Sequence, residues 1–400
     1  LRIAIFTPFT YPFHVDMLKV LCDKVEAKIF TCGIYGNYPF EKLLRHTEVL
    51  KCTNLAGSKA IGLIGLAKFL HYKPNAVVIF GIESLAGLAI YMTSRLVKAK
   101  TLVVVEENNI TSLNNHLLSL LQKFKRQVVR WVYKHAPILV AESHASMKYV
   151  LEILRVKRDM PTVVRVHGID TKKYLKFASM SNTHAKTTML KILGLSKVLL
   201  AKKWCTFIGE PSYCKGADVL LDAIEILKEA EDIVDKVIFL FPRMELLRDR
   251  KDLKERYEQK LRRLVSDGFV TLYDPIKFDY MPIFYRASDV ILLPSRFLVY
   301  ASSDRSPNVA LEALASGNVL IASYAGGIPT IVGDAAVLVR PNDAYALANK
   351  LRDVLINEDK YEHFKEKARE QAMRELDVRC YVRDLLSYLK LSLVEPSQRA

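Results

Sequence analysis

The segment Asp304-Arg-Ser-Pro-Asn-Val-Ala-Leu-Glu312-Ala-Leu-Ala-Ser-Gly317 sets two carboxylates eight positions apart across a helix start. Ser306 is a preferred N-cap, Pro307 suits the first helical position, and Gly317 suits the residue that closes a helix. The apolar run Asn318 to Ser323 follows, then Gly326-Gly327. The segment therefore reads as loop, short helix, buried strand and tight turn. A helix N-terminus presents unpaired N–H groups and the positive end of the dipole, which suits a phosphate. Asp304 falls in the loop before that phosphate, and Glu312 falls deeper along the helix. The layout fits a ligand with phosphate in the middle and hydroxyls at both ends, such as a nucleotide sugar. A pair of solvated surface acids is the competing reading. Glu312 resists it, because Val309, Ala310, Leu311, Ala313 and Leu314 around it are all apolar. A carboxylate on such a helix needs a partner, either a ribose diol or a donor from the protein itself.

On both sides of this segment, short apolar runs alternate with longer amphipathic ones. That pattern gives parallel sheets with helices on both faces, an α/β class. In the first half the runs 3–6, 27–31, 76–80, 101–105, 138–141 and 162–166 read as strands. In the second half the strands are 204–209, 237–241, 270–273, 290–293, 319–322 and 336–339. Four hundred residues exceed one ordinary domain, so two are expected. Residues 1–178 read as the first domain, 179–200 as a Ser-, Thr- and Lys-bearing linker, 201–360 as the second domain, and 361–400 as a charged helical tail.

An ordered set of motifs resembles family 4 glycosyltransferases, the group 1 glycosyltransferases. Asp304 and Glu312 take the places of the family's Glu-x7-Glu, Pro307-Asn308-Val309 matches its Pro-Asn-Val, and Glu312 to Gly317 matches Glu-Ala-Met-Ala-x-Gly. Gly209 to Lys215-Gly216 resembles the phosphate-binding Gly-Arg-x4-Lys-Gly element. Tyr285-Arg286-Ala287-Ser288-Asp289, Leu293-Pro294-Ser295 and Gly326-Gly327-Ile328-Pro329 follow in the family's order. His167-Gly168-Ile169-Asp170 resembles its Asn-Gly-Val-Asp. The resemblance covers residues 200–350 well and the first half loosely. It implies a GT-B fold, with two Rossmann-like parallel-sheet domains facing a central cleft, and a last helix that crosses back toward the first domain. It further implies a retaining transferase, with Asp304 and Glu312 as the catalytic acids. Gly209, Lys215, Gly216, Ser306, Pro307, Asn308 and Val309 would bind the donor. The first domain would take the acceptor, with His14, Glu107 and Asn108 as the candidate residues on that side.

The departures are chemical. Glu210 stands where the family has Arg, and puts a negative charge beside the expected diphosphate. Arg243, just past a strand end, is a candidate to restore the lost positive charge. Asp304 is one methylene shorter than Glu. The first loop, Thr7-Pro-Phe-Thr-Tyr-Pro-Phe-His14, lacks a Gly-Gly pair.

The formal net charge is +16. Residues 1–200 hold 29 Lys and Arg against 12 Asp and Glu, so the whole excess lies in the first half. Such asymmetry concerns partners rather than fold. The helix Leu117 to Lys134 is basic and amphipathic; Leu117, Leu120, Leu121, Phe124, Val128 and Val132 read as its core stripe. Lys123, Lys125, Arg126, Arg130 and Lys134 read as a patch for anionic lipid. No motif for nucleic-acid recognition occurs, so no nucleic-acid partner is expected.

The six cysteines, at 22, 32, 52, 205, 214 and 380, form no Cys-x-x-Cys and no zinc spacing. Neither a disulfide framework nor a metal site is expected from them, and a reducing cytoplasm is the default. No Asp-x-Asp is present, so the donor site is read as metal-independent and free of cofactors. No run is long and apolar enough for a membrane span. The leading expectation is a cytoplasmic retaining glycosyltransferase, peripheral at the membrane face. It would use a nucleotide-activated sugar and a glycan, lipid-linked or polysaccharide acceptor. Two alternatives stand beside it: a non-catalytic nucleotide-sugar-binding protein, and a sugar-nucleotide epimerase of the same architecture.

Overall fold

The computed structural model describes residues 2–8, 12–33, 41–55, 58–105, 116–296 and 306–391. The chain divides into two compact units. Unit 1 is Leu1–Ile169 with Val378–Ala400, and unit 2 is Asp170–Asp377.

Unit 1 contains β1 (Ile3–Thr7), β2 (Ala27–Thr31), β3 (Thr47–Val49), β4 (Cys52–Leu55), β5 (Ser58–Ile61), β6 (Ala76–Ile79), β7 (Lys100–Val105), β8 (Ile138–Ala141) and β9 (Thr162–Val164). Seven of these form a parallel sheet in the order β3-β2-β1-β6-β7-β8-β9, while β4 and β5 make a separate antiparallel hairpin. Successive residues of a strand point to opposite faces, and both faces here are buried. Ala4, Phe6, Val77, Ile79, Val103 and Val105 enter one core with Phe69, Tyr91, Val132 and Tyr133. Ile3, Ile5, Val78, Leu102 and Val104 enter the other, with Leu18 and Leu21 of helix Pro12–Lys24 and Tyr381, Val382, Leu385 and Leu389 of helix Val378–Leu391. The last described helix thus belongs to the core of the first unit.

Unit 2 contains β10 (Lys203–Phe207), β11 (Val237–Pro242), β12 (Val270–Tyr273), β13 (Val290–Leu293), β14 (Val319–Ser323) and β15 (Val337–Val339). They form one parallel sheet in the order β12-β11-β10-β13-β14-β15. This is the Rossmann-like 3-2-1-4-5-6 order. Its strand order reverses between β10 and β13, the place where open parallel sheets bind ligands at their carboxyl ends.

Several sequence expectations are corrected. The stretch 179–200 is not a linker: it forms helix Asn182–Leu193 and a 3-10 turn, Lys197–Ala201, inside unit 2. Ser181 caps the helix by accepting from the His184 amide, and Gly194 ends it in the left-handed region. Asn182 donates to the carbonyls of Arg286 and Ala287, and the buried Lys186 pairs with Asp289 at 2.7 Å. Those tertiary contacts hold a Ser-, Thr- and Lys-containing segment in the fold. The charged tail splits into helices Glu358–Glu375 and Val378–Leu391. Asp377, between them, accepts from the Thr171 hydroxyl.

The cysteines also depart from expectation. Cys32, just past β2, and Cys52, opening β4, form a disulfide with a Cα–Cα distance of 5.5 Å. Their spacing of 20 residues matches no short motif; the approach of the hairpin to the sheet brings them together. Phe124, read as part of a core stripe, is 70% exposed, whereas Val132 on the same helix is fully buried.

Candidate functional site

The loop after β10 is built around two glycines. Gly209 has φ +114° and Gly216 has φ +71°, both in the region that side-chain-bearing residues rarely adopt. Gly216 is further constrained by space, since a Cβ there would lie 2.0 Å from the Pro294 carbonyl oxygen. The loop therefore lies directly on the segment leaving β13. Within it, the Gly216 amide donates to the Tyr213 carbonyl at 3.0 Å, and Gly216 then opens helix Ala217–Leu227. The Asp249 carboxylate accepts from the amides of Tyr213 and Cys214 at 2.8 and 3.3 Å. Lys215 is half-buried at the end of this loop.

Glu210, the residue whose charge opposes a phosphate, pairs with Arg248 at 2.8 Å. Arg243 instead pairs with Asp274 at 3.0 Å, and both of those side chains are largely exposed. Of the two arginines, Arg248 is the one paired with Glu210, and it too is largely exposed. Arg248 was missed because it lies in no strand-end motif; the turn before helix Lys251–Ser266 delivers it.

The helix after β13 runs Asn308–Ser316. Pro307, not Ser306, is its N-cap, with extended backbone (φ −70°, ψ 121°) and no side-chain capping bond. The ring fixes φ, and the Pro307 carbonyl accepts from the Ala310 amide at 3.0 Å, so the first turn starts one residue later than the sequence suggested. Ser306, Asn308 and Val309 are half-buried, and Gly317 closes the helix at φ +68°. Asp304 lies outside the described residues. Glu312 is half-buried, and its Oε2 accepts from the Tyr285 hydroxyl at 2.7 Å. A protein donor therefore takes one oxygen of this carboxylate. Burial, together with the Glu312 charge, pushes the Tyr285 phenol well above its ordinary value, which keeps it a donor. The Tyr285 carbonyl is itself held by the Asn318 side-chain amide at 2.8 Å.

On the other unit, His14 is buried with its ring edge-on to Phe80 at 5.2 Å. Glu107 and Asn108 lie outside the described residues. On helix His116–His135, Phe124 and Trp131 are exposed, as are Lys123, Arg126 and Lys134. Among the described residues, no group of three or more His, Cys, Asp or Glu side chains is placed to hold a metal ion. Among them, too, no helix is long and apolar enough to cross a membrane.

Residues 202–357 match the profile of the family described as glycosyl transferases group 1. Along 94% of this chain and 82% of the relative, the sequence is 25% identical to D-inositol 3-phosphate glycosyltransferase of Corynebacterium urealyticum. A glycosyltransferase of Rickettsia africae ESF-5 superposes with a TM-score of 0.73 at 15% identity, covering 100% of this chain and 99% of that one. Anabaena HepE, solved in complex with UDP, superposes at 0.72 with 17% identity, covering 98% and 100%. These likenesses give the chain the two-domain GT-B fold, each domain a Rossmann-like parallel sheet. The group 1 profile is laid over the glycine loop, the β13 segment and the Glu312 helix alike, so residues 202–357 are similar to the group 1 glycosyltransferases.

Proposed function

We propose that this chain is a retaining, metal-independent glycosyltransferase that moves a sugar from a nucleoside diphosphate donor to a glycan, lipid-linked or polysaccharide acceptor. One observation carries the reading. At the switch point of unit 2, the glycine loop after β10 rests on the end of β13, the strand that precedes helix Asn308–Ser316. Backbone amides at the start of helix Asn308–Ser316 and the Lys215 ammonium would hold the diphosphate. Gly209 and Gly216 let the backbone approach it closely. Glu312, steadied by Tyr285, would take the ribose hydroxyls, and Asp304 those of the sugar. Arg248 offsets the charge of Glu210 beside the leaving group. The leaving phosphate would accept the acceptor proton, so no strong protein base is required. The UDP bound by the similarly folded Anabaena protein agrees with a nucleoside diphosphate donor.

The test is a panel of nucleoside diphosphate sugars screened for thermal stabilisation, followed by transfer assays with the best. Stabilisation followed by transfer to an added acceptor supports the reading. Binding without transfer identifies a non-catalytic binder. Interconversion of the donor without acceptor identifies an epimerase.

The acceptor side would lie in unit 1, with His14, Glu107 and Asn108 as its candidates. The proposal also includes peripheral contact with the cytoplasmic face of an anionic membrane. Exposed Phe124 and Trp131 alternate with exposed Lys123, Arg126 and Lys134 on one helix, which combines apolar insertion with charge attraction. Co-sedimentation with phosphatidylglycerol vesicles but not with phosphatidylcholine vesicles checks it.

A further inference from the structure

We propose that Arg296 is a positioning residue for the donor site, setting the distance between the glycine loop and the segment that leads to the Glu312 helix. It rests on the donor reading above and deepens it. Arg296 is 5% exposed and stands three residues past the end of β13. Its guanidinium forks onto the buried Asp218 carboxylate at 2.6 and 2.8 Å. The same group donates to the Tyr213 carbonyl at 2.5 Å and to the Asn342 side-chain oxygen, and lies 3.9 Å over the Tyr213 ring. Its own amide donates to the Cys214 carbonyl at 2.8 Å. Arg250 covers the Tyr213 ring at 4.5 Å.

One side chain thus ties together four pieces of unit 2. They are the glycine loop through Tyr213, the first turn of helix Ala217–Leu227 through Asp218, the turn after β15 through Asn342, and the strand end that carries Arg296 itself. A planar fork is needed, because a single ammonium cannot meet carboxylate, carbonyl and amide oxygens in fixed directions at once. Arg296 and Gly216 fasten the loop to the same strand end from two points, since Gly216 touches Pro294. Lys215 lies between Tyr213 on one side and Gly216 and Asp218 on the other, so its position follows from this clamp. Arg296 acts through the loop.

The test uses the full chain. Wild type is titrated with UDP, GDP and ADP, and the tightest diphosphate becomes the probe. If none binds, the donor reading fails at this step, before any variant is made. Arg296→Lys keeps the charge and loses the fork; its Kd for the probe is expected to rise by about 10- to 100-fold, the scale of a displaced binding group. Lys186→Gln is the control. It breaks the buried Lys186–Asp289 pair at the amino end of β13 in the same unit. It is expected to lower the melting temperature with an unchanged Kd. Should Arg296→Lys not fold, Asn342→Ala removes one partner and leaves the ion pair, and must still weaken the probe severalfold. A folded variant that binds like wild type, whatever its melting temperature, overturns the proposal.

Discussion

The Tyr285 hydroxyl donates to Glu312 Oε2 at 2.7 Å, linking the helix that ends before β13 to the helix that starts after it. The phenol holds one oxygen of a half-buried carboxylate. Tyr285→Phe removes the donor and leaves that oxygen to be satisfied elsewhere, at a cost of about 1–3 kcal/mol. Denaturant unfolding should show that loss, and the donor KM should rise. Glu312→Ala is expected to abolish transfer while cooperative melting persists. A fully active Glu312→Ala would contradict its assigned role.

The two arginines separate by partner. Arg248→Ala leaves Glu210 uncompensated beside the glycine loop, and donor affinity should fall severalfold, more so at low salt. Arg243→Ala breaks a pair with Asp274 that does not involve Glu210, and should move affinity less. Isothermal titration of both variants at two ionic strengths decides between them; the reverse order would restore Arg243 to the site.

Gly216→Ala joins two penalties, a left-handed backbone and a Cβ 2.0 Å from the Pro294 carbonyl oxygen. The loop must move to relieve the contact. Donor binding should drop sharply and the melting temperature with it. Gly194→Ala, also left-handed but with nothing within 4 Å, should cost about 1 kcal/mol and leave donor binding intact.

The Cys32–Cys52 bond predicts a cross-linked peptide pair in unreduced proteolytic digests. Replacing both residues with serine should lower the stability of unit 1 by about 2–4 kcal/mol. Free thiols at both positions in protein purified without reductant would show that the bond does not form.

Burial raises the Tyr273 phenol far above its ordinary value, as burial and Glu312 do for Tyr285. In the unfolded chain both ionise near pH ~10. Their contribution to stability is therefore complete below about that pH and is lost as pH rises through the folded values. Alkaline titration followed by tyrosinate absorbance should show these two ionising only as unit 2 unfolds. Tyr285→Phe should shallow the alkaline loss of stability.

The parallel strands were legible because each is a short apolar run buried on both faces; β6, β7 and β10 to β14 fall where the runs fall. The helix Asn308–Ser316 was legible through Gly317 and the apolar residues around Glu312. Helix Asn182–Leu193 was not, although Ser181 and Gly194 mark its ends. Its buried face is Ala185, Lys186, Met189 and Leu190, and Lys186 meets Asp289, a partner 103 positions away that no local period displays. Arg248 and Arg296 were hidden for the same reason. Arg296 is one residue beyond the Leu293-Pro294-Ser295 motif, and its importance lies in partners at 213, 218 and 342. The cysteine pair joined through tertiary approach rather than spacing. What sequence displays well is periodicity; what it conceals is which distant polar groups satisfy one another.

Helix Val378–Leu391 completes the core that β1 begins. During synthesis the ribosome delivers every residue of unit 2 before this helix emerges. Unit 2 is contiguous and can fold as it appears, while the nascent first unit waits with Ile3, Ile5 and Val78 uncovered on one face. A stop codon ahead of Val378 would thus harm unit 1, most of which is made before unit 2, and would leave it sticky and dependent on chaperones.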